Sequence, residues 1–105
     1  MFMYILEKSG HNNLDYEDYH HFNEFRGVFS TVEKARDCAE KLIKEIESQC
    51  PNDEYGYPTF QVTKEWHDGG DNSIAKTIQF DVDIDSYETM TVYYIITKVE
   101  VDKED

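Results

Sequence analysis

Apolar residues follow the helical period in one stretch of this chain and the strand period in most of the others. Val32, Ala35, Ala39, Leu42, Ile43 and Ile46 fall at i, i+3, i+7, i+10, i+11 and i+14, a single stripe along one helix. Charged residues from Glu33 to Glu47 occupy the other faces, with Glu40 and Lys44 at the favourable i,i+4 spacing. Ser30-Thr31-Val32-Glu33 reads as a capping box with Ser30 at the N-cap and Glu33 reaching back. Ser48-Gln49-Cys50 is the expected frayed end, and Pro51 stops the helix. A lone amphipathic helix must bury its stripe against something, and in this chain that can only be a sheet.

The sheet is written in five segments. Phe2–Leu6 is an almost continuous apolar run, as suits a strand in mid-sheet or one buried on both faces. Phe25–Phe29 is the second strand, and Thr59–Trp66 the third, with Phe60, Val62 and Trp66 on one side. His67–Asn72 carries strong turn chemistry, because Gly and Asn accept positive φ. Lys76–Asp85 alternates strictly: Ile78, Phe80, Val82 and Ile84 face the core, while Thr77, Gln79, Asp81, Asp83 and Asp85 face away. Thr89–Val101 is the last strand, with Val92, Tyr94 and Ile96 on one side and Tyr93, Ile95, Thr97, Val99 and Val101 on the other. The order β-β-α-β-β-β predicts an α+β fold: a mostly antiparallel sheet of four to five strands with one helix on one face. At 105 residues the chain has room for a single domain, 1–105. Residues 9–24 read as a long aromatic and acidic loop, suited to contacting a protein.

Charge narrows the function. The chain has 23 acidic residues against 10 Lys and Arg, a net charge of −13. That balance argues against nucleic acid or an anionic membrane as a direct partner, because phosphate contacts need Lys and Arg. No run approaches the roughly 18–20 apolar residues of a membrane span. No signal-peptide pattern opens the chain, so a cytoplasmic location is expected. Cys38 and Cys50, twelve apart without a CxxC, read as two reduced thiols.

Templates for chemistry fail on spacing. DVDIDSYE has Ser86 and Val92 where a calcium loop needs Gly and Glu. His11, His20, His21 and His67 match no metal-ligand spacing. There is no nucleophile elbow and no Gly-rich phosphate loop. We therefore expect no enzyme, metal or cofactor. What remains is the row Asp81, Asp83 and Asp85. Residues i and i+2 on a strand lie about 6.5–7 Å apart on one face, close to the spacing of successive phosphates on DNA. Such a row, extended by Glu88 and by Tyr16, Glu17, Asp18 and Tyr19 of the loop, suits a basic groove in a partner, with tyrosines as anchors.

The segment Arg26-Gly27-Val28-Phe29-Ser30-Thr31-Val32-Glu33-Lys34-Ala35, after the opening Met3-Tyr4-Ile5-Leu6, resembles a pattern in small bacterial and phage accessory proteins, where a "GVFS" strand end caps an "EKA" helix. The resemblance covers about a third of the chain and brings no catalytic residues with it. It implies a phage-type protein in a bacterial cytoplasm. Small acidic proteins of that kind often inhibit host defence, as anti-CRISPR proteins and other DNA mimics do. The expected function is then inhibition of a nucleic-acid-handling host protein through the acidic face. Two alternatives stand beside it. One is a homodimeric or larger scaffold whose long last strand pairs across a two-fold axis. The other is a small-ligand-binding protein with the 9–24 loop as lid.

Overall fold

The computed structural model describes residues 1–12, 21–50, 59–81 and 89–101. Strands β1 (Phe2–Asn12) and β2 (His21–Phe29) precede helix α1 (Val32–Ser48); β3 (Phe60–Gly70), β4 (Ser73–Asp81) and β5 (Thr89–Glu100) follow it. The five strands form one sheet in the order β2-β1-β5-β4-β3, and every neighbouring pair is antiparallel. The fold is α+β with the expected element order. The apolar run of β1 sits inside the sheet, between β2 and β5.

The core lies between α1 and one face of the sheet. Ala35, Ala39 and Ile43 from the helix stripe meet Leu6, Ile78, Val92, Tyr94 and Ile96 from the strands. Small helix residues let the helix approach the sheet closely, so Tyr94 and Leu6 are buried almost completely. Burial pushes the Tyr94 hydroxyl up to about 12, against weaker opposing and reinforcing fields from Arg26 and Glu24.

Several boundaries differ from the sequence reading, each through pairing between distant segments. Residues 9–12 and 21–24 are strand, not loop: Ser9 pairs with Asn23 and Tyr93, and Gly10 with Phe22 and Val92. Backbone ladders on both sides of β1 override the polar composition. Gly10 is required there, since an added Cβ would lie 2.6 Å from the Thr91 carbonyl oxygen and 2.7 Å from the Phe22 ring. The turn after β3 narrows to Asp71 and Asn72, both at positive φ (49° and 62°), the geometry of a two-residue hairpin. Its flanks, Asp68–Gly70 and Ser73–Ala75, are paired strand. Phe60, Val62 and Trp66 share the helix side as expected: Phe60 pairs with Phe80, Val62 with Ile78, and Trp66 packs on the core, while register shifts follow Val62 and Lys64 and Val62 stays 37% exposed. The helix N-cap is Thr31 rather than Ser30: its Oγ1 accepts from the Lys34 N–H at 3.2 Å. Ser30 Oγ instead accepts from Lys34 Nζ at 3.3 Å.

Candidate functional site

Topology brings one end of the molecule to notice. β1 ends and β2 begins at the same end of the sheet, where His11 pairs with His21. β4 ends and β5 begins there too, where Asp81 pairs with Thr89, and Asn12 lies opposite Met90. β3 starts beside them: Phe60 pairs with Phe80, and the Asp81 N–H donates to the Thr59 carbonyl oxygen at 2.9 Å. The C-terminus of α1 points to this end as well, since Asp81 acts electrostatically on Cys50, just past the helix.

All three connections at this end are acidic in sequence. Residues 13–20 contain Asp15, Glu17 and Asp18; residues 51–58 contain Asp53 and Glu54; residues 82–88 contain Asp83, Asp85 and Glu88. None of the three segments contains Lys or Arg. They hold five of the eight tyrosines: Tyr16, Tyr19, Tyr55, Tyr57 and Tyr87. Helix α1 adds to the field, because its C-terminal dipole end is negative and its last turn carries no basic residue. The Cys50 thiol reports that field. Burial first, then the Asp81 and Glu47 carboxylates, push its pKa above the ordinary thiol value.

Of the candidate partner-binding residues, Asp81 is described. It is exposed at the end of β4, and its register places it on the sheet face away from the helix, as its place in the alternation predicts. Thr59, Gln61, Gln79 and Asp81 line a shallow concavity of about 140 Å³, and Gln61 Nε2 donates to Gln79 Oε1 at 3.4 Å. Asp83, Asp85, Glu88, Tyr16, Glu17, Asp18 and Tyr19 lie outside the described residues. Among the described residues no group of three or more His, Cys, Asp or Glu could hold a metal ion. No helix among the described residues is long and apolar enough to cross a membrane.

A second polar cluster was not foreseen from the sequence. Lys76 sits on the core-facing side of β4 with Ile78 and Phe80, and only 8% of its side chain is exposed. Its Nζ donates to Glu40 Oε1 at 2.8 Å and lies 3.2 Å from Glu65 Oε2. The same Glu40 oxygen accepts from Trp66 Nε1 at 2.9 Å, and the Arg36 guanidinium lies over the Trp66 ring at 5.7 Å. Glu40 therefore serves the sheet, although its spacing suggests a surface pair with Lys44. Desolvation raises the Glu40 carboxyl, but hydrogen bonds from Lys76 and Trp66 and the charges of Lys76 and Lys44 outweigh it and leave the pKa lowered. Desolvation likewise opposes the Lys76 ammonium, and Glu40 and Glu65 reverse the sign. The available signal was a Lys at an apolar parity position, which requires a carboxylate from elsewhere. This cluster ties helix to sheet.

At the opposite end of the sheet, a cavity of about 450 Å³ opens beside the start of α1. Tyr4, Val32, Ile74 and Ile96 contribute its apolar wall, and Asp68, Ser73 and Lys98 its polar part.

No protein-family model, curated protein or solved structure matches this chain.

The last strand cannot pair across a two-fold axis in the way a scaffold built on it would need. β5 is the middle strand, hydrogen-bonded to β1 on one side and to β4 on the other.

Proposed function

We propose that this protein is an acidic binding protein that occupies the nucleic-acid groove of a bacterial host protein, as a phage-type inhibitor of host defence acting by DNA mimicry. The reading rests on one observation: three connections carrying eight acidic and no basic residues all depart from one end of the sheet, beside the negative end of α1. Asp81, Asp83 and Asp85 face Lys or Arg of the partner. Glu17, Asp18 and Glu88 extend the charge, and Tyr16 and Tyr19 anchor the contact. Burying a tyrosine supplies contact area at low entropic cost, while the carboxylates supply steering and fast association. The protein acts by occupancy and performs no chemistry, and its place of action is the host cytoplasm.

The test is capture of partners from bacterial lysate on tagged protein at low and high salt, followed by competition with duplex DNA on the purified partner. A nucleic-acid-handling protein held at low salt, shed at high salt and displaced by DNA is expected. The triple variant D81N/D83N/D85N then loses at least about tenfold in affinity, since each charge-assisted contact is worth on the order of 1 kcal/mol or more. A partner held equally by the triple variant, or one indifferent to DNA, removes the mimicry reading.

A further inference from the structure

The cavity at the start of α1 is floored by the helix side of the sheet. Leu6, a core residue, pairs with Ile96; Ile96 pairs with Ile74, and Ile74 with Asp68, so these residues share that side. The pair Tyr4 and Lys98 continues it two residues further on. Val32, the first residue of α1, and hairpin residues 70–73 complete the walls. A volume of about 450 Å³ falls within the range of small-molecule sites, roughly 300–1,000 Å³.

The polar side of this cavity is rich in acceptors. Asp68 Oδ1 accepts the Gly70 N–H at 2.9 Å, which leaves the second carboxylate oxygen over. The Ser73 hydroxyl gives its hydrogen to the Gly70 carbonyl oxygen at 2.6 Å and keeps only lone pairs. The Lys98 N–H goes to the Asn72 carbonyl oxygen at 2.9 Å. Asp71 brings a second carboxylate, and neither it nor Asp68 has an ion-pair partner among the described residues. Lys98 is the cation of the lining, but its ammonium lies 4.0 Å from the centre of the Phe2 ring, and Phe2 is outside the lining. Lys98 therefore turns its methylene stem to the cavity and its charge elsewhere.

We propose that this cavity binds a small organic cation, an amine whose apolar body rests on Tyr4, Val32, Ile74 and Ile96 and whose ammonium meets Asp68 and Asp71. An ammonium has donors alone, which is what two unpaired carboxylates and a serine lone pair lack. A carboxylate ligand would face both acids and would have to draw Lys98 away from Phe2. The net charge of −13 acts in the same direction, concentrating cations at the surface and repelling anions. The site lies at the opposite end of the sheet from the acidic connections, and it stands independently of the function proposed above.

Amide NMR spectra of the full chain, titrated to about 10 mM with phenethylamine and separately with phenylpropanoate, test this. Saturable shifts at Val32, Asp68, Asn72, Ile74 and Ile96 are expected with the amine, and binding of the carboxylate at least about tenfold weaker. Asp68→Asn keeps an oxygen for the Gly70 N–H and removes the charge; it is expected to weaken the amine at least about fivefold. Asp71→Asn weakens it too, without touching that hairpin bond, and Asn tolerates the positive φ of this position. Glu45→Gln removes the same charge from an exposed position of α1 outside the cavity and leaves binding unchanged. No saturable binding of the amine, equal binding of the carboxylate, folded Asp68→Asn and Asp71→Asn variants that both bind like the wild type, or a Glu45→Gln as weak as Asp68→Asn overturns the proposal.

Discussion

Lys76 shows how one side chain can couple two elements. Its ammonium is held inside the molecule by Glu40 from the helix and Glu65 from the neighbouring strand. The two ends of this contact differ in how they tolerate loss. Removing Glu40 leaves a buried ammonium with only the well-exposed Glu65, so Glu40→Ala costs about 1–3 kcal/mol. Lys76→Met replaces a buried charge by an apolar chain of similar length and changes stability by less than about 1 kcal/mol in either direction. Urea denaturation of both variants checks this asymmetry; equal losses would show that the pair acts as a simple surface bridge. The pH dependence follows from the same contact. The Glu40 pKa is lowered from 4.5, so its contribution is present above that value and is lost as pH falls through the folded one. The Lys76 pKa is raised from 10.5, so its contribution is present below that value and is lost as pH rises through the folded one. Glu40→Ala is therefore expected to destabilise most near neutrality and to converge on the wild type in acid.

At the scale of the element, α1 was the part most open to reading. Its apolar stripe follows from the 3.6-residue period alone, and each residue of that stripe is either in the core or packed against it. Its start was legible to within one residue. Ser30 and Thr31 are both competent caps, and the choice falls to Thr31 because Phe29 is still paired with Tyr4. One residue then separates the ladder from the cap, and Val32 reaches the core periphery. Thr31→Ala is expected to cost about 1 kcal/mol and Ser30→Ala a few tenths, read from thermal melts. The reverse order would return the cap to Ser30. The strands were legible in side but not in length. Alternation around Ile78 and Phe80 gives the face of β4 correctly, yet the ends of β1, β2 and β3 depend on neighbours that no local window contains.

For the whole molecule, charge distribution matters more than net charge. Acids gathered at one end repel one another, and that repulsion opposes the compact state. Salt screens it, since the Debye length falls from about 30 Å at 0.01 M to a few ångströms near 1 M. The thermal midpoint is therefore expected to rise by several degrees between about 0.01 and 0.5 M NaCl, and to rise less in D81N/D83N/D85N. Calorimetry of the two proteins checks both, and a midpoint indifferent to salt would mean that the acids are too far apart to interact. The candidate site shared this dependence on the whole molecule. Sequence reading singled out the Asp81 row and the tyrosines near 16–19, but could not place residues 51–58 beside that row. The strand order sets the anchors of that segment, Cys50 and Thr59, beside Asp81.

By itself the sequence determined the α+β class, the order of the elements, the stripe of α1, the core side of β4, the two side sets of β5, and the excess of carboxylates. Each of these is carried by a period of 2 or 3.6 residues or by composition, and needs only neighbours along the chain. Tertiary structure decided that β5 lies between β1 and β4, that Lys76 meets Glu40, and that three acidic connections share one end. A periodic pattern says which side of an element seeks burial. It does not say which partner is found there, because pairing between strands is made by backbone groups that every residue carries alike.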